Sequence, residues 1–383
     1  MWPDGQFLPV YGAYSDAPWD PKPGKLAPNE AYLFRFKSRS SGNRGAIEKD
    51  SGAVQTSADT PFLTAEVGAG IQDTYVRRPV VSRDDVAAID SVMIGSGANL
   101  LGYYMFQGGE NPDGEKTTLN ESKATGYPTD VPIKSYDFQA PLGEFGLERP
   151  SYGALKLFNY FLDDFGAELA PMRVFAPADL PKGADDMQTL RVSVRADQNS
   201  GFLFVNNHVR GYSMKSHSGV QFRIALGNNS TLTIPARPVA IPAGSYFIWP
   251  LRMKIGSATM TYSTAQPMCK MTQGNTTVWI FSEVPGIKAE FAFPRNQAKL
   301  ITVEHGTERQ FGDVVVISGL VPGLAPVLKV VDKHGANNEI VLLSRDHATR
   351  LTKVKIEGVD HLVMSRAEVF SNGHTMTLRS LND

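Results

Sequence analysis

PFLTAEVGAGIQDTYVRRPVVSRDDVAAIDSVMIGSGANLLGYYMF, from Pro61 to Phe106, reads as strand, helix, strand. Pro61 to Glu66 is a short apolar run that ends in a carboxylate. Ser82 then offers a helix N-cap, Asp84 and Asp85 suit the positive end of a first turn, and Val86, Ile89, Val92 and Met93 recur at helical spacing. Gly95 and Gly97 end that helix. Asn99 to Phe106 is continuously apolar, which predicts a strand covered on both faces, as in a parallel sheet.

Outward from this unit the pattern repeats once and then changes. A polar, Gly/Pro-rich stretch from Gln107 to Val131 is too long for a neutral connection. A second helix follows over Ser151 to Phe165, with Leu155, Phe158, Phe161 and Leu162 on one face and Gly166 as its expected C-cap. Two consecutive βα units point to an α/β region. Beyond residue 185 short β runs dominate. Thr189–Ala196, Gly201–Val209, Val220–Leu226, Thr231–Pro235 and Ser245–Pro250 are separated by turn residues. Val278–Glu283, Lys299–Glu304, Val314–Ser318, Pro326–Val331, Ile340–Leu343 and Thr375–Leu378 continue the series. The expectation is a multidomain chain, α/β over residues 1–180 and all-β, of β-sandwich type, over 181–383.

Composition excludes several function classes. The 383 residues carry 38 basic and 39 acidic side chains, for a net charge of −1, so no electrostatic footprint calls for nucleic acid. At 42% hydrophobic and 20% charged the chain is globular rather than disordered. One cysteine, Cys269, excludes an intrachain disulfide or a multi-cysteine zinc site. The seven histidines are scattered, and no metal or cofactor motif stands out. The opening residues have no basic, apolar signal pattern, and the most apolar stretch, Val314 to Val331, is broken by Gly319, Pro322, Gly323 and Pro326. Neither a signal peptide nor a membrane span is therefore expected. Four sequons, at Asn120, Asn228, Asn229 and Asn275, bear on a glycosylating secretory pathway alone.

Two carboxylates attract notice. Glu66 ends a strand before a glycine-rich turn, where a carboxylate is a nucleophile, a base, a ligand or simply a solvated strand end. Glu110 lies after the next strand, in QGGENPDG, whose Asn111 to Gly114 is turn chemistry. Retaining glycosidases need two carboxyls about 5–5.5 Å apart. Trp19, Tyr75, Tyr103, Tyr104, Tyr127 and Tyr136 lie near both loops; such rings serve sugar stacking or core bulk, and core packing is the default for Tyr103, Tyr104 and Met105 within the strand.

TPFLTAEVGAGIQDTYVRRP (Thr60–Pro79), GSGANLLGYYMFQGGENPDG (Gly95–Gly114) and KSYDFQAPLGEFG (Lys134–Gly146) resemble the β-galactosidases of glycoside hydrolase family 35. The second and third blocks resemble its Y-M-F-x-G-G-x-N and S-Y-D-Y-x-A-P-x-x-E motifs. SGFLFVNNHVR (Ser200–Arg210) and IPAGSYFIWP (Ile241–Pro250) resemble the β-domains that follow the barrel, and the similarity weakens beyond residue 270. The resemblance implies a TIM (β/α)8 barrel, retention of configuration at a terminal β-galactose, no cofactor, and Glu66 as nucleophile at the end of the seventh strand. It places Tyr104, Asn111 and Tyr136 near the sugar, and implies a periplasmic or extracellular setting.

The departures matter as much. The family's acid/base sits in an E-N-E-Y block that this sequence lacks. A TIM barrel takes about 250 residues, whereas about 165 precede the β region here. LPVYGAYSDAPWD (Leu8–Asp20) resembles the middle of that barrel rather than its start. The expectation is a partial barrel, carrying the nucleophile and needing the missing amino-terminal half in trans. The alternative is a non-catalytic carbohydrate- or partner-binding β-sandwich protein with an inert barrel remnant. A third possibility, Glu110 as substitute acid, suffers from its turn-like loop.

Overall fold

The computed structural model describes residues 10–22, 24–36, 61–116, 120–127, 129–198, 200–226, 231–331 and 335–380. The sequons at Asn228 and Asn229 lie outside them. The protein is a mixed α/β chain in which strand predominates, with three α-helices among the described residues. It forms two compact units. Unit 1 comprises residues 1–155, 174–194 and 204–215, and unit 2 comprises 156–173, 195–203 and 216–383.

Unit 1 contains the strand–helix–strand read from the sequence. Strand β1 (Val10–Ala13) pairs parallel with β2 (Phe62–Val67), and β2 pairs parallel with β3 (Ala98–Tyr103), in the order β1-β2-β3. Helix α1 (Arg83–Gly95) supplies the crossover from β2 to β3, as parallel neighbours require. Its N-terminus is a capping box. Asp85 N–H donates to Ser82 Oγ, and Ser82 N–H donates to Asp85 Oδ2. The register sets Gly12 opposite Glu66 and Val67 opposite Tyr103, so the carboxyl ends of all three strands open on one edge.

One expectation for β3 fails. The strand ends at Tyr103 and is not covered on both faces: Asn99 and Leu100 are exposed, Leu100 at 52%. The cause is position in the sheet, because β3 is a terminal strand in the order of three. The second helix also differs. Helix α2 runs from Pro150, a residue suited to a first helical position, to Leu169, and Gly166 lies inside it. Leu169, 1% exposed, adds a further buried turn that outweighs the glycine.

Among the described residues unit 2 contains two larger sheets, beside three two-stranded ones. One runs through the strands Thr307–Phe311, Val314–Ser318, Phe291–Pro294, Ala258–Ser263 and Tyr246–Ile255, all antiparallel neighbours. The other orders Gln266–Gln273, Thr276–Ser282, Asn337–Leu343, Pro326–Val331 and Ile301–Val303, with one parallel pair, Thr276–Ser282 beside Asn337–Leu343. Phe281 of the second sheet meets Phe291 of the first edge to face at 5.1 Å. The α2 side chain Phe165 stacks on Trp279 at 6.2 Å. Cys269 is fully buried in this core. The sequence reading missed several of these strands, and also the short helix Arg345–Arg350 capped by Ser344.

Two acids on α1 hold unit 1 together with opposite pH signatures. Asp85, 5% exposed, pairs with His208 Nε2 at 2.9 Å and with Arg210 Nη1 at 2.9 Å, and Arg210 also reaches Asp16 at 3.1 Å. Burial alone raises the Asp85 carboxyl. Hydrogen bonds from His208 and Ser82 overcome that, and the pKa falls to about 2. Asp90 is fully buried and takes a hydrogen bond from Tyr103 Oη at 2.7 Å, while its Oδ1 has no partner. Burial, only partly offset by Tyr103, pushes this carboxyl up to about 8. It is therefore a neutral acid at pH 7.

The linkage follows from the signs. Asp85, depressed when folded, contributes stability above about pH 4 that is lost as the pH falls towards 2. Asp90, raised when folded, makes stability decline as the pH rises from about 4 to about 8. Urea unfolding across this range is expected to show an acid arm that Asp85→Asn removes and a neutral arm that Asp90→Asn removes. Asp85→Asn is also expected to cost about 1–3 kcal/mol at pH 7, because Arg210 and His208 lose a charged acceptor while Arg210 keeps Asp16. In α2, a Cβ on Gly166 meets only Leu162 Cβ at 3.9 Å. Gly166→Ala is expected to raise stability by about 0.5–1 kcal/mol in the same assay.

Candidate active site

The open edge of the three-stranded sheet carries the candidate site. Glu66 is solvent-exposed, one residue before the end of β2. Across the pair lies Gly12, where an added Cβ would make ordinary van der Waals contact with Glu66 Cβ at 3.8 Å. Just beyond β1, Tyr14 Oη donates to Glu66 Oε2 at 2.9 Å. Burial first, then that hydrogen bond and the carboxylate's charge, raise the Tyr14 phenol well above its usual range. Tyr14 is thus a permanent donor that fixes one oxygen of Glu66.

The other aromatics close around this pair. After β3 the chain turns through a cis Tyr104–Met105 peptide. Tyr104 Oη and Tyr136 Oη share a hydrogen bond of 2.7 Å. Burial, then Tyr104, hold the Tyr136 phenol above its ordinary range, and Glu66 contributes to the same shift. Phe138 is the hub. Its ring contacts Tyr14 at 6.2 Å, Tyr104 at 5.2 Å and Tyr136 at 5.9 Å. Trp19 meets Tyr14 edge to face at 5.6 Å.

The segment that carries Phe138 is held in a costly backbone. Phe138 and Gln139 have φ of 60° and 48°, the left-handed region that side chains avoid. The surroundings over-determine it. Gln139 Nε2 donates to the carbonyls of Ile71 at 3.1 Å and Pro79 at 2.7 Å, and its Oε1 accepts from Val81 N at 3.2 Å. Asp137 accepts from Gln139 N, Glu144 N and Arg149 Nη2. One glutamine therefore ties the turn after Tyr136 to the loop after Glu66. Strain of this kind persists where the neighbours enforce it, and such places cluster at functional sites.

The sequence candidates divide accordingly. Glu66, Tyr104 and Tyr136 come together. Asn111 does not join them through its side chain, which donates to the Ile133 carbonyl at 3.0 Å. Glu110 lies in the short hairpin β4 (Gly109–Glu110) and β5 (Ser135–Tyr136), exposed and opposite Ser135. Tyr14 and Phe138 were not foreseen. A parallel β1–β2 register would have found Tyr14, since it puts the residues after both strands side by side. Nothing in the sequence marks two successive non-glycine residues as left-handed. Among the described residues no group of three His, Cys, Asp or Glu side chains is placed to hold a metal ion, and no helix is long and apolar enough to cross a membrane.

No protein-family model and no curated protein matches the chain. Among solved structures, a γ-CGTase from alkalophilic Bacillus clarkii is similar over 73% of this chain and 39% of its own, at 11% identity and a TM-score of 0.27. That score is too low to bear on fold or activity.

Gly70 is the position on which the hub depends. A Cβ there would stand 2.3 Å from the Phe138 carbonyl oxygen and 2.5 Å from that of Gln139, both backbone atoms. Gly70→Ala is expected to lower stability by about 1–3 kcal/mol in urea unfolding, with Phe138 displaced. A change within 0.5 kcal/mol would mean that the contact is not held in solution.

Proposed function

We propose that this chain carries the nucleophile side of a retaining β-galactosidase-type site, of the kind found in glycoside hydrolase family 35. Glu66 attacks the anomeric carbon of a terminal β-galactoside. The bond to the aglycone oxygen breaks, a galactosyl ester forms on Glu66, and water then resolves it. The observation that carries this reading is the 2.9 Å bond from Tyr14 to Glu66 at the carboxyl ends of parallel strands. It leaves the second carboxylate oxygen available for attack. Tyr104 and Tyr136 present hydroxyls for the sugar, and Phe138 offers bulk beneath them.

In the same reading the three parallel strands are part of a TIM barrel, and the two larger sheets of unit 2 are β-sandwich modules. The barrel's remaining strands bring the acid/base that the sequence lacks and cover the exposed side of β3, where Leu100 stands 52% in solvent. They belong to another chain or to another part of a longer protein.

The test is intact-mass spectrometry after incubation with a dinitrophenyl 2-deoxy-2-fluoro-β-galactoside, whose leaving group departs without protonation. One galactosyl adduct mapping to Glu66, and none on Glu66→Gln, is the expected outcome. A folded chain that takes no adduct, or takes it elsewhere, would remove Glu66 from the reaction. Carbohydrate binding by the β-rich unit would then be the surviving role.

A further inference from the structure

The bond from Tyr14 to Glu66 spans the carboxyl ends of β1 and β2, and the loops that leave those strands are cross-linked a few residues further on. Asp16 follows Tyr14 by two residues and is 9% exposed. Its Oδ1 accepts from Arg77 Nε at 3.1 Å, in the loop after β2, and from Ala17 N at 2.8 Å. Its Oδ2 accepts from Arg210 Nε at 3.1 Å, 194 residues away in sequence. Each carboxylate oxygen thus has its own guanidinium, the kind of pairing that offsets the cost of burying a charge.

The cluster reaches further through both arginines. Arg210 Nη1 donates to the Val80 carbonyl at 2.8 Å and to Asp85 Oδ2 at 2.9 Å, and Asp85 Oδ1 meets His208 Nε2 at 2.9 Å. Arg77 Nη1 donates to the Gly24 carbonyl at 2.9 Å. Arg77, Asp16, Arg210 and Asp85 therefore alternate in charge across the loop after β1, the loop after β2 and the first turn of α1. Neutral bonds reinforce the same junction. Thr74 Oγ1 donates to the Pro18 carbonyl at 2.8 Å, and Asn29 Nδ2 to the carbonyl of Tyr14 itself at 2.6 Å. Asp16 is the member that both arginines share and the one that lies on the loop of Tyr14.

We infer that Asp16 is a positioning residue for the nucleophile: clamped between Arg77 and Arg210, it fixes the loop after β1 against the loop after β2 and so sets Tyr14 on Glu66. This rests on the proposed function. A hydrogen bond weakens steeply as its geometry opens, so the orientation of Glu66 is only as good as the placement of the tyrosine that donates to it. Asp16 supplies that placement from behind, through the backbone it shares with Tyr14, as a fixed support for the reacting group. Arg210 comes from the segment that follows the strand Gly201–Asn206, so the support of the site is not confined to the α/β part of the sequence.

Labelling of the full chain by the dinitrophenyl 2-deoxy-2-fluoro-β-galactoside, followed by mass against time and reagent concentration, tests this. Asp16→Asn keeps the shape of the side chain and removes its charge. It is expected to slow labelling at saturating reagent roughly ten- to a hundredfold, while the concentration for half-saturation changes by less than about twofold. In a Tyr14→Phe chain, where the bond to Glu66 is already gone, adding Asp16→Asn is expected to slow labelling by no more than about twofold. Ser193→Ala, which removes a buried hydrogen bond to the Gly95 carbonyl at the carboxyl end of α1, should label at the wild-type rate. Should Asp16→Asn lose its cooperative unfolding in urea, Arg77→Gln, which leaves Arg210 on Asp16, carries the same cycle. Unchanged labelling in the Asp16→Asn chain, or a slowing that persists in full beside Tyr14→Phe, would overturn the positioning role while leaving Glu66 as nucleophile. If the wild-type chain takes no adduct, the proposed function falls and this role falls with it.

Discussion

The parallel pairing of Val10–Ala13 with Phe62–Val67 is the constraint on which the candidate site depends. Parallel neighbours send both chains out of the sheet at the same edge, so the residues that follow one strand stand beside those that follow the other. That alone brings Tyr14 to Glu66, 52 residues away in sequence, without a dedicated loop to carry it there. An antiparallel pairing would have put the two residues at opposite ends of the sheet. The register is tuned at the point of contact, since β1 has its irregularity between Tyr11 and Gly12, and Gly12 lies opposite Glu66.

A second layer converts this juxtaposition into a fixed geometry. The turn after Tyr136 adopts a backbone that costs about 1–3 kcal/mol per strained residue, and Gln139 and Asp137 hold it through hydrogen bonds that converge on two loops. What this gains is the placement of Phe138, whose single ring sets the positions of three tyrosines. Gly70 is permissive in this arrangement, because its missing side chain lets the strained carbonyls approach. The site is therefore assembled from contacts between loops, with the parallel sheet as its base.

The parts of this that were legible in the sequence are those governed by local periodicity. Ser82, Asp85 and the apolar spacing of Val86 to Met93 located α1, because capping and amphipathicity are short-range effects. Glu66 was legible as a strand-end carboxylate for the same reason. What failed was tertiary. Asn99 to Phe106 reads as a buried strand, yet Leu100 is exposed, since no sequence pattern reports whether a neighbouring strand exists. Gly166 reads as a stop, yet the burial of Leu169 carries α2 past it. Phe138 and Tyr14 were invisible because their roles depend on pairing register and on φ values, neither of which periodicity encodes.

The exposure of Glu66 sets what the described residues can do electrostatically. At 4 Å two unit charges interact by about 1 kcal/mol in bulk water, but by about 4 kcal/mol at an effective dielectric near 20. Developing charge at an anomeric carbon would gain little from a carboxylate that water can reach. The tyrosines differ: burial already raises Tyr14 and Tyr136, so the low-dielectric side of the site is the side formed by Phe138 and the loop after β2. The site is thus half closed, with positioned donors on one flank and solvent on the other. In the proposed reading, strands covering that flank add water exclusion as well as the acid/base, and these are distinct contributions. Nucleophile labelling with a good leaving group needs neither proton donation nor a closed wall, only a carboxylate oxygen held in line. The Tyr14 bond holds one oxygen of that carboxylate within unit 1 itself, so in the proposed reading labelling at Glu66 does not wait on further strands.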